Sequence, residues 1–466
     1  MGIKKYFSNA DSTITNAYKS NLTSRATGSN MGASDILEVY SIYGQATTSS
    51  REESRILISF PTSGISSDRT AGSLPASGSV NFYLKLYDAE HGQSLPNDYY
   101  LNVKAVSSSW EEGYGLDMET FKDLGVVNWE SRSVGNAWSA AGGDYHASPS
   151  YSQFFTTGEE DLSIDVTDLV EQWLSGSKAN SGFGVYLSSS HTTANRSYYT
   201  KKFFGKGTEF FFQRPTLEAR WNSALTDDRD NFYASSSLVP ADDNLNKIYL
   251  YNRYKGRLVD IPSIGTGSIY VGLHSGSSTA VTGAALSSFT GSWVSTGIYS
   301  ASVYINTTAS YLYDVWHDNS GNEFLTGSRI TVRSHKPNSN VFTDEYVCNI
   351  TNLKPTYSNQ ETARFRLFVR NKDWNPTIYT VSTKNIQSDI IDNAYYGVSR
   401  YVDDLEVIPY GTGSLQHTKL SYDKEGNYFD LDMSMLEAGY SYKINFVFKI
   451  NDRYEEQSEY FKFRVE

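Results

Sequence analysis

The chain has almost no cysteine, no excess of positive charge, no long apolar run and hardly any stretch that reads as helix. Its one cysteine, Cys348, excludes intrachain disulfides and a cysteine-based zinc cluster, and is expected to be a small buried hydrophobe. A formal net charge of −12 over 466 residues argues against a sequence-independent grip on phosphates, which needs clustered Lys and Arg. Nucleic acid is therefore not an expected partner. The opening MGIKKYFSNAD carries two lysines with no apolar run behind them, and no run elsewhere is long enough to cross a bilayer as a helix. The expectation is synthesis in a cytoplasm, with neither a secretory signal nor a membrane partner. Tyr6 stands where a myristoylation signal wants Ser or Thr.

Catalytic signatures are missing as well. There is no G-x-S-x-G elbow and no H-E-x-x-H helix. The seven histidines are scattered singly, and His146, His191 and His274 each sit in a polar loop. Glu111-Glu112 and Glu159-Glu160-Asp161 are carboxylate clusters of a kind that glycosidases also use, but their loop contexts point to solvated charge or a weak Ca²⁺ site. No enzymatic activity is expected.

What remains is an aromatic, hydroxyl-rich chain. It has 36 tyrosines and 23 phenylalanines among many Ser, Thr, Gly and Asn residues, which suits the pleated, half-solvated surface of a sheet. The length implies about three domains. The reading is all-β: a β-sandwich over residues 1–222, a polar linker or arm over 223–246, and immunoglobulin- or fibronectin-like sandwiches over 247–335 and 336–466. In the first segment ADSTITNAYK, DILEVYSIYG, RILISFP and SVNFYLKLYDA are candidate strands. Within the last of these, Val80, Phe82, Leu84 and Leu86 alternate with Asn81, Tyr83, Lys85 and Tyr87, giving one apolar and one wet face. YYLNVKAVSSSW, GFGVYL, RSYYTKKFFG and RPTLEARW follow, the last with Pro215 suited to the start of an edge strand. Between Glu111 and Phe155 runs a long irregular excursion that contains Trp129, Trp138 and a Gly-Gly pair.

The one clear helix is expected at about 166–175, within SIDVTDLVEQWLSGSKANSGFGVYL. Asp165 and Asp168 can cap or brace its start, Val166, Leu169, Val170, Trp173 and Leu174 form an apolar stripe, and Gly176 ends it. Trp173 is expected to plug one end of the first sandwich.

Four pieces of the first 220 or so residues carry a resemblance: ADSTI at Ala10, RILISFP at Arg55, SSSWEEG at Ser107, and IDVTDLVEQWLSG with the NSGFGVYL that follows. Together they resemble the DNRLRE-type domain, a jelly-roll-like module of the carbohydrate-binding kind found on bacterial surface and secreted proteins. The family's arginine-leucine-arginine strand is here Arg55-Ile56-Leu57, and the loop after Trp110 is idiosyncratic. In texture and in its opening segment, the chain also resembles accessory structural proteins of tailed phages, especially contractile-tailed phages of marine bacteria. That resemblance implies a virion protein assembled in the host cytoplasm, with other virion proteins as partners in a homo- or hetero-oligomer.

Two sets of residues are candidate ligand sites. Aromatic rings stack on sugar faces, so Trp129, Trp138, Tyr145 and Tyr151 are the glycan candidates for an alternative role in receptor or adhesin recognition of a host surface glycan. The same rings could instead pack the loop onto its own sandwich or another subunit. Ca²⁺ wants several hard oxygens on flexible loops, and Asp11, Asp165 and Asp168 are the carboxylates that could converge for a structural ion. No ordered D-x-D-x-D-G spacing supports it.

Overall fold

The computed structural model describes residues 2–92, 96–195, 198–335, 345–383 and 388–466. It is built from serial antiparallel β-sandwich layers, divided into two compact units, Ile3–Trp221 and Asn222–Glu466. The expected boundary at 335/336 abuts residues 336–344, which lie outside the described residues.

The strands of the first unit are β1 (Ile3–Phe7), β2 (Ala10–Thr15), β3 (Ile36–Tyr43), β4 (Arg51–Ser59), β5 (Asn81–Leu86), β6 (Tyr99–Val106), β7 (Ser131–Ser133), β8 (Asn136–Ala137), β9 (Tyr145–Phe155), β10 (Leu162–Asp165), β11 (Phe183–Leu187), β12 (Tyr198–Phe204) and β13 (Thr216–Arg220). A four-stranded sheet runs β1-β13-β5-β10, and a seven-stranded sheet runs β12-β3-β4-β11-β6-β9 with β2 also on β4. Alternation decides which side chains meet between them. Phe82, Leu84 and Leu86 of β5 face Ile56 and Ile58 of β4, Leu101 and Val103 of β6, and Phe183 and Val185 of β11 in one core. β13 is not an edge strand, because β1 covers it with the register Ile3↔Arg220 to Phe7↔Thr216. Pro215 is tolerated there because it precedes the ladder, and its carbonyl accepts from Ser8 N at 3.2 Å.

Two helices, joined to each other by Arg69 and Glu171, pack against this sandwich. The first, α1 (Thr62–Thr70), has no apolar stripe and buries only Ile65. The second, α2 (Thr167–Leu174), buries Leu169, Val170 and Trp173. The cap position of α2 is held by Val166, not an aspartate. Asp165 acts one residue earlier, where its Oδ1 accepts from Thr167 N at 3.0 Å and Thr167 Oγ1 at 2.6 Å. Asp168 lies exposed in the first turn, where its charge complements the helix dipole.

In the second unit, one seven-stranded sheet folds around a core of Ile248, Val271, Leu273, Tyr299, Val303 and Trp316. Its long strand Val281–Ser295 pairs first with Ile269–Gly276 and then, at Ser292–Ser295, with Ile298–Val303. The remainder of the unit stacks a four-stranded sheet containing Thr362–Asn371 and Gly426–Asp432 on a six-stranded one containing Ala394–Arg400 and Ser441–Ile450. Phe429 sits between them, with ring centroids 4.2 Å from Tyr396 and 5.1 Å from Phe365. Cys348 is buried, and burial pushes its thiol up to about 12.

The segment expected to be a polar linker or arm, 223–246, is packed instead. Asp227 N donates to Tyr422 O at 3.0 Å, Phe232 is fully buried among the strands that follow, and Tyr233 bridges to Arg333. Asp227, Asp228, Asn244 and Asn246 look solvated in sequence but meet specific partners, and one apolar ring pins the segment down.

Candidate functional site

The excursion after β6 is the part of the first unit that the two-sheet core does not explain. The strand β4 reads Ile56-Leu57-Ile58, with all three side chains fully buried. Ile56 and Ile58 enter the main core, so Leu57 points to the opposite face of the seven-stranded sheet, and that face is covered too. The cover is the excursion itself: Val127, Trp129 and Trp138 close over Ile14, Leu57 and Val106, with Trp110 and Tyr145 packed alongside.

Polar contacts fix this lid. Trp138 Nε1 donates to Asn128 O, and Trp110 Nε1 to Ser181 O, both at 2.9 Å. The Arg55 guanidinium lies 5.0 Å from the Trp129 ring, 5.3 Å from Tyr186 and 5.7 Å from Tyr145, and donates to Gly142 O at 2.9 Å. The Gly-Gly pair is required here. Gly142 and Gly143 have φ of +92° and +102°, and a Cβ on Gly143 would come within 2.6 Å of the Tyr145 hydroxyl. Asn30, fully buried, uses all four of its hydrogen-bonding positions. Its Nδ2 donates to Glu112 O at 2.6 Å and Val127 O at 2.7 Å, and its Oδ1 accepts from Gly32 N and Gly115 N, each at 3.0 Å. Asn30→Ala is expected to lower stability by about 2–3 kcal/mol by leaving buried main-chain groups unpaired. Limited proteolysis should then cut first within the excursion; unchanged cleavage would contradict this role.

Beyond its anchored base, the loop turns apolar side chains outward. Tyr114 is 88% exposed, Val134 65%, Phe121 64%, Leu124 62% and Leu116 50%. The stretch that carries Tyr114, Leu116 and Phe121 has a braced backbone. Leu116 N donates to Phe121 O at 2.6 Å, Tyr114 N to Asp123 Oδ2 at 2.9 Å, and Asp117 Oδ1 accepts from the backbone of Glu119, Thr120 and Phe121. These backbone bonds, that of Thr120 first, hold the Asp117 carboxyl below its ordinary range. The 114–123 stretch thus holds exposed apolar side chains and carboxylates on a hydrogen-bonded backbone. Large apolar side chains exposed on a fixed backbone are candidates for a contact surface.

The expected glycan platforms do not survive this geometry. Trp129 and Trp138 are 6% and 5% exposed, and an enclosed indole offers no face to a sugar. Tyr145 is half-buried, with its ring beside Arg55 and its hydroxyl donating to Gly142 O at 2.9 Å. Tyr151, on β9, is half-buried against the main core. The chain matches no family model and no curated protein. Geometry therefore carries the functional argument. Sequence reasoning missed Tyr114, Leu116, Phe121 and Leu124; their cue was apolar residues at irregular spacing within a loop.

The expected Ca²⁺ carboxylates do not converge either. Asp165 is held by Thr167 and by Asn81 Nδ2 at 3.2 Å on the four-stranded sheet, Asp168 is exposed, and Asp11 is buried on β2 of the other sheet. Among the described residues, no group of three or more His, Cys, Asp or Glu could hold a metal ion. Asp11 is instead a staple. Its Oδ2 accepts from Lys206 N at 2.6 Å, and its own N–H donates to Glu112 Oε1 at 2.7 Å. Glu112 Oε2 pairs with Lys206 Nζ at 2.8 Å.

Burial pushes the Asp11 carboxyl up to about 7, against the pull of the Lys206 N–H. Between its unfolded value of 3.8 and about 7, the folded chain binds the extra proton, so stability falls as pH rises through that window. From pH 5 to 8 the loss is expected to be on the order of 2 kcal/mol, and Asp11→Asn should flatten that part of the profile. Denaturant titrations at the two pH values check it; an equal slope in parent and variant would contradict it.

Proposed function

We propose that the chain is a non-enzymatic structural component of a tailed-phage particle, placed in its capsid decoration, neck, tail or baseplate. It works by protein–protein contact with other virion proteins, as part of a homo- or hetero-oligomer. The resemblance in texture and opening segment supplies the setting. The observation that carries the mode of action is the exposed set Tyr114, Leu116, Phe121, Leu124 and Val134, held on a loop whose base is locked by Trp129, Trp138, Arg55 and Asn30.

Such a surface suits protein recognition for two reasons. Its apolar centre gains free energy on burial, and its braced backbone loses little conformational freedom when a partner covers it. The same stretch carries Asp117, Glu119 and Asp123, which supply polar groups beside the apolar ones. The glycan-recognition alternative has lost its two indole platforms to the interior, and no other observation favours it.

Electron microscopy of purified particles, together with mass spectrometry of their proteins, is the test. The chain is expected among the particle proteins in stoichiometric amount, and a Tyr114→Ser/Phe121→Ser variant is expected to fold and to be missing from them. Particles that lack the parent chain would overturn the proposal.

A further inference from the structure

A second surface stands apart from the loop and does not depend on the particle setting. It is the free edge of the strand Val281–Ser295. Along Ile269–Leu273 this strand is paired on one side, with the register Ile269↔Gly291 to Leu273↔Ser287, and shifted pairings carry the hairpin on to Gly276↔Val281. Its other side meets Ile298–Val303 only from Ser292 onward. Among the described residues, no strand lies along that outer side from Val281 to Thr290. This stretch is also exposed on both faces: Val281 through Leu286, Ser288 and Thr290 are all exposed, with Leu286 at 48%. Behind it, Ile269–Gly276 pairs on its other side with Tyr311–His317, so over this length Val281–Thr290 is the outermost strand of the sheet.

The devices that usually blunt an open edge are absent from it. No Asp, Glu, Lys or Arg occurs between Asp260 and Asp314, and the hairpin contains no proline. The register shifts lie at His274 and toward the tip, where His274 Nδ1 meets Gly283 O at 2.9 Å, and they leave Ser287–Thr290 as a regular run. Beside that run, Phe289 packs on Tyr304 at 5.4 Å between centroids, and Tyr304 is 56% exposed.

We propose that this edge is a self-association site, with the occupant a second copy of the same strand, antiparallel across a two-fold axis. Two arguments select that occupant. An antiparallel edge is complementary to itself, since each strand offers the N–H and C=O groups that the other lacks. Charge is the second argument. Copies of a chain of net charge −12 repel one another, so they can approach only where neither brings charge. This strand supplies such a surface, whereas a charged foreign segment would be desolvated here with no counter-charge to meet it.

Sedimentation velocity of the full chain at micromolar concentration is expected to give twice the chain mass. Leu286→Lys/Ser288→Lys, at exposed positions, is expected to give the monomer mass, a two-fold drop, with unchanged thermal unfolding. Hydrogen exchange of the parent provides a readout free of mutation, and the amides of Ser287–Thr290 are expected to gain protection as concentration rises. A parent chain that sediments as a monomer, a double-lysine variant that keeps the parent mass, or exchange independent of concentration would each overturn the proposal.

Discussion

Replacing Trp173 with alanine is expected to destabilise the first unit by about 3–5 kcal/mol, the range for truncating a large ring in a packed core. The indole is 6% exposed and meets the Phe183 ring edge-on, with centroids 4.8 Å apart; Phe183 in turn contacts Phe60 at 6.0 Å. These rings close one end of the space between the two sheets, so the cavity left by alanine has no mobile side chain to fill it. Helix α2 should loosen together with the ring. A helix of this length is not stable alone, and its buried face is its apolar anchorage beside the Asp165 brace and the Arg69–Glu171 pair. Hydrogen exchange of the amides in β11 and α2, measured on the full chain, would read the loss locally. Trp173→Phe keeps most of the volume and is expected to cost under about 1.5 kcal/mol. Exchange unchanged in the alanine variant would show that the ring does not carry the end of the sandwich.

The stripe Val166, Leu169, Val170, Trp173 was legible because it follows helical period over consecutive residues, and β5 was legible because its alternation is nearly perfect. Both patterns are local. Helix α1 was not legible: TSGISSDRT offers a single apolar residue and weak helix formers, and its position is set by distant groups. The Tyr6 hydroxyl donates to Asp68 Oδ2 at 2.7 Å, Lys4 pairs with Asp68 at 2.8 Å, and Arg69 forms a bidentate pair with Glu171 of α2. The same partners explain why β1 was missed. Lys4 and Lys5 look like a charged terminus, yet Lys5 lies beside Glu218 with its ammonium pushed down to about 8 by burial. Sequence order alone does not reveal a charge satisfied from another strand.

The candidate surface was half legible. A long excursion rich in tryptophan pointed to the right segment, but the rings that looked available are the anchors, and those that are available were not singled out. The distinction was present in β4. Three consecutive buried apolar residues in a strand mean that both faces of the sheet are covered, and in a chain with one long excursion next to that sheet the excursion is the cover. Its largest rings then go inward, because each removes the most apolar area from water. Whatever apolar residues remain at the tip are left for a partner.

The second large effect is expected at Arg229, whose replacement by methionine should cost the second unit about 3–5 kcal/mol. Its guanidinium donates to Asp227 Oδ2 and Asp314 Oδ2, each at 2.6 Å, and Asp314 is fully buried, accepting also from Trp316 Nε1 at 2.7 Å. Burial alone would lower the guanidinium, but the two carboxylates beside it hold it raised. Removing it strands two carboxylates in the interior, which costs more than the paired triad ever contributed. The pH dependence separates this from a simple packing defect. Burial already pushes Asp227 up to about 6 despite Arg229, so in the parent its charge destabilises the fold increasingly as pH rises from 3.8 toward 6. Without the guanidinium, that carboxyl moves further up, so the deficit of the variant should be greatest at pH 8, shrink as pH falls toward about 6 and level off below it, where the carboxyl is protonated in both folded chains. Adding Asp227→Leu to Arg229→Met removes one stranded charge and should recover part of the loss at pH 8 while changing little at pH 5. Urea titrations of the parent, the single and the double variant at both values check this, and a deficit independent of pH would mean that the triad acts through packing alone.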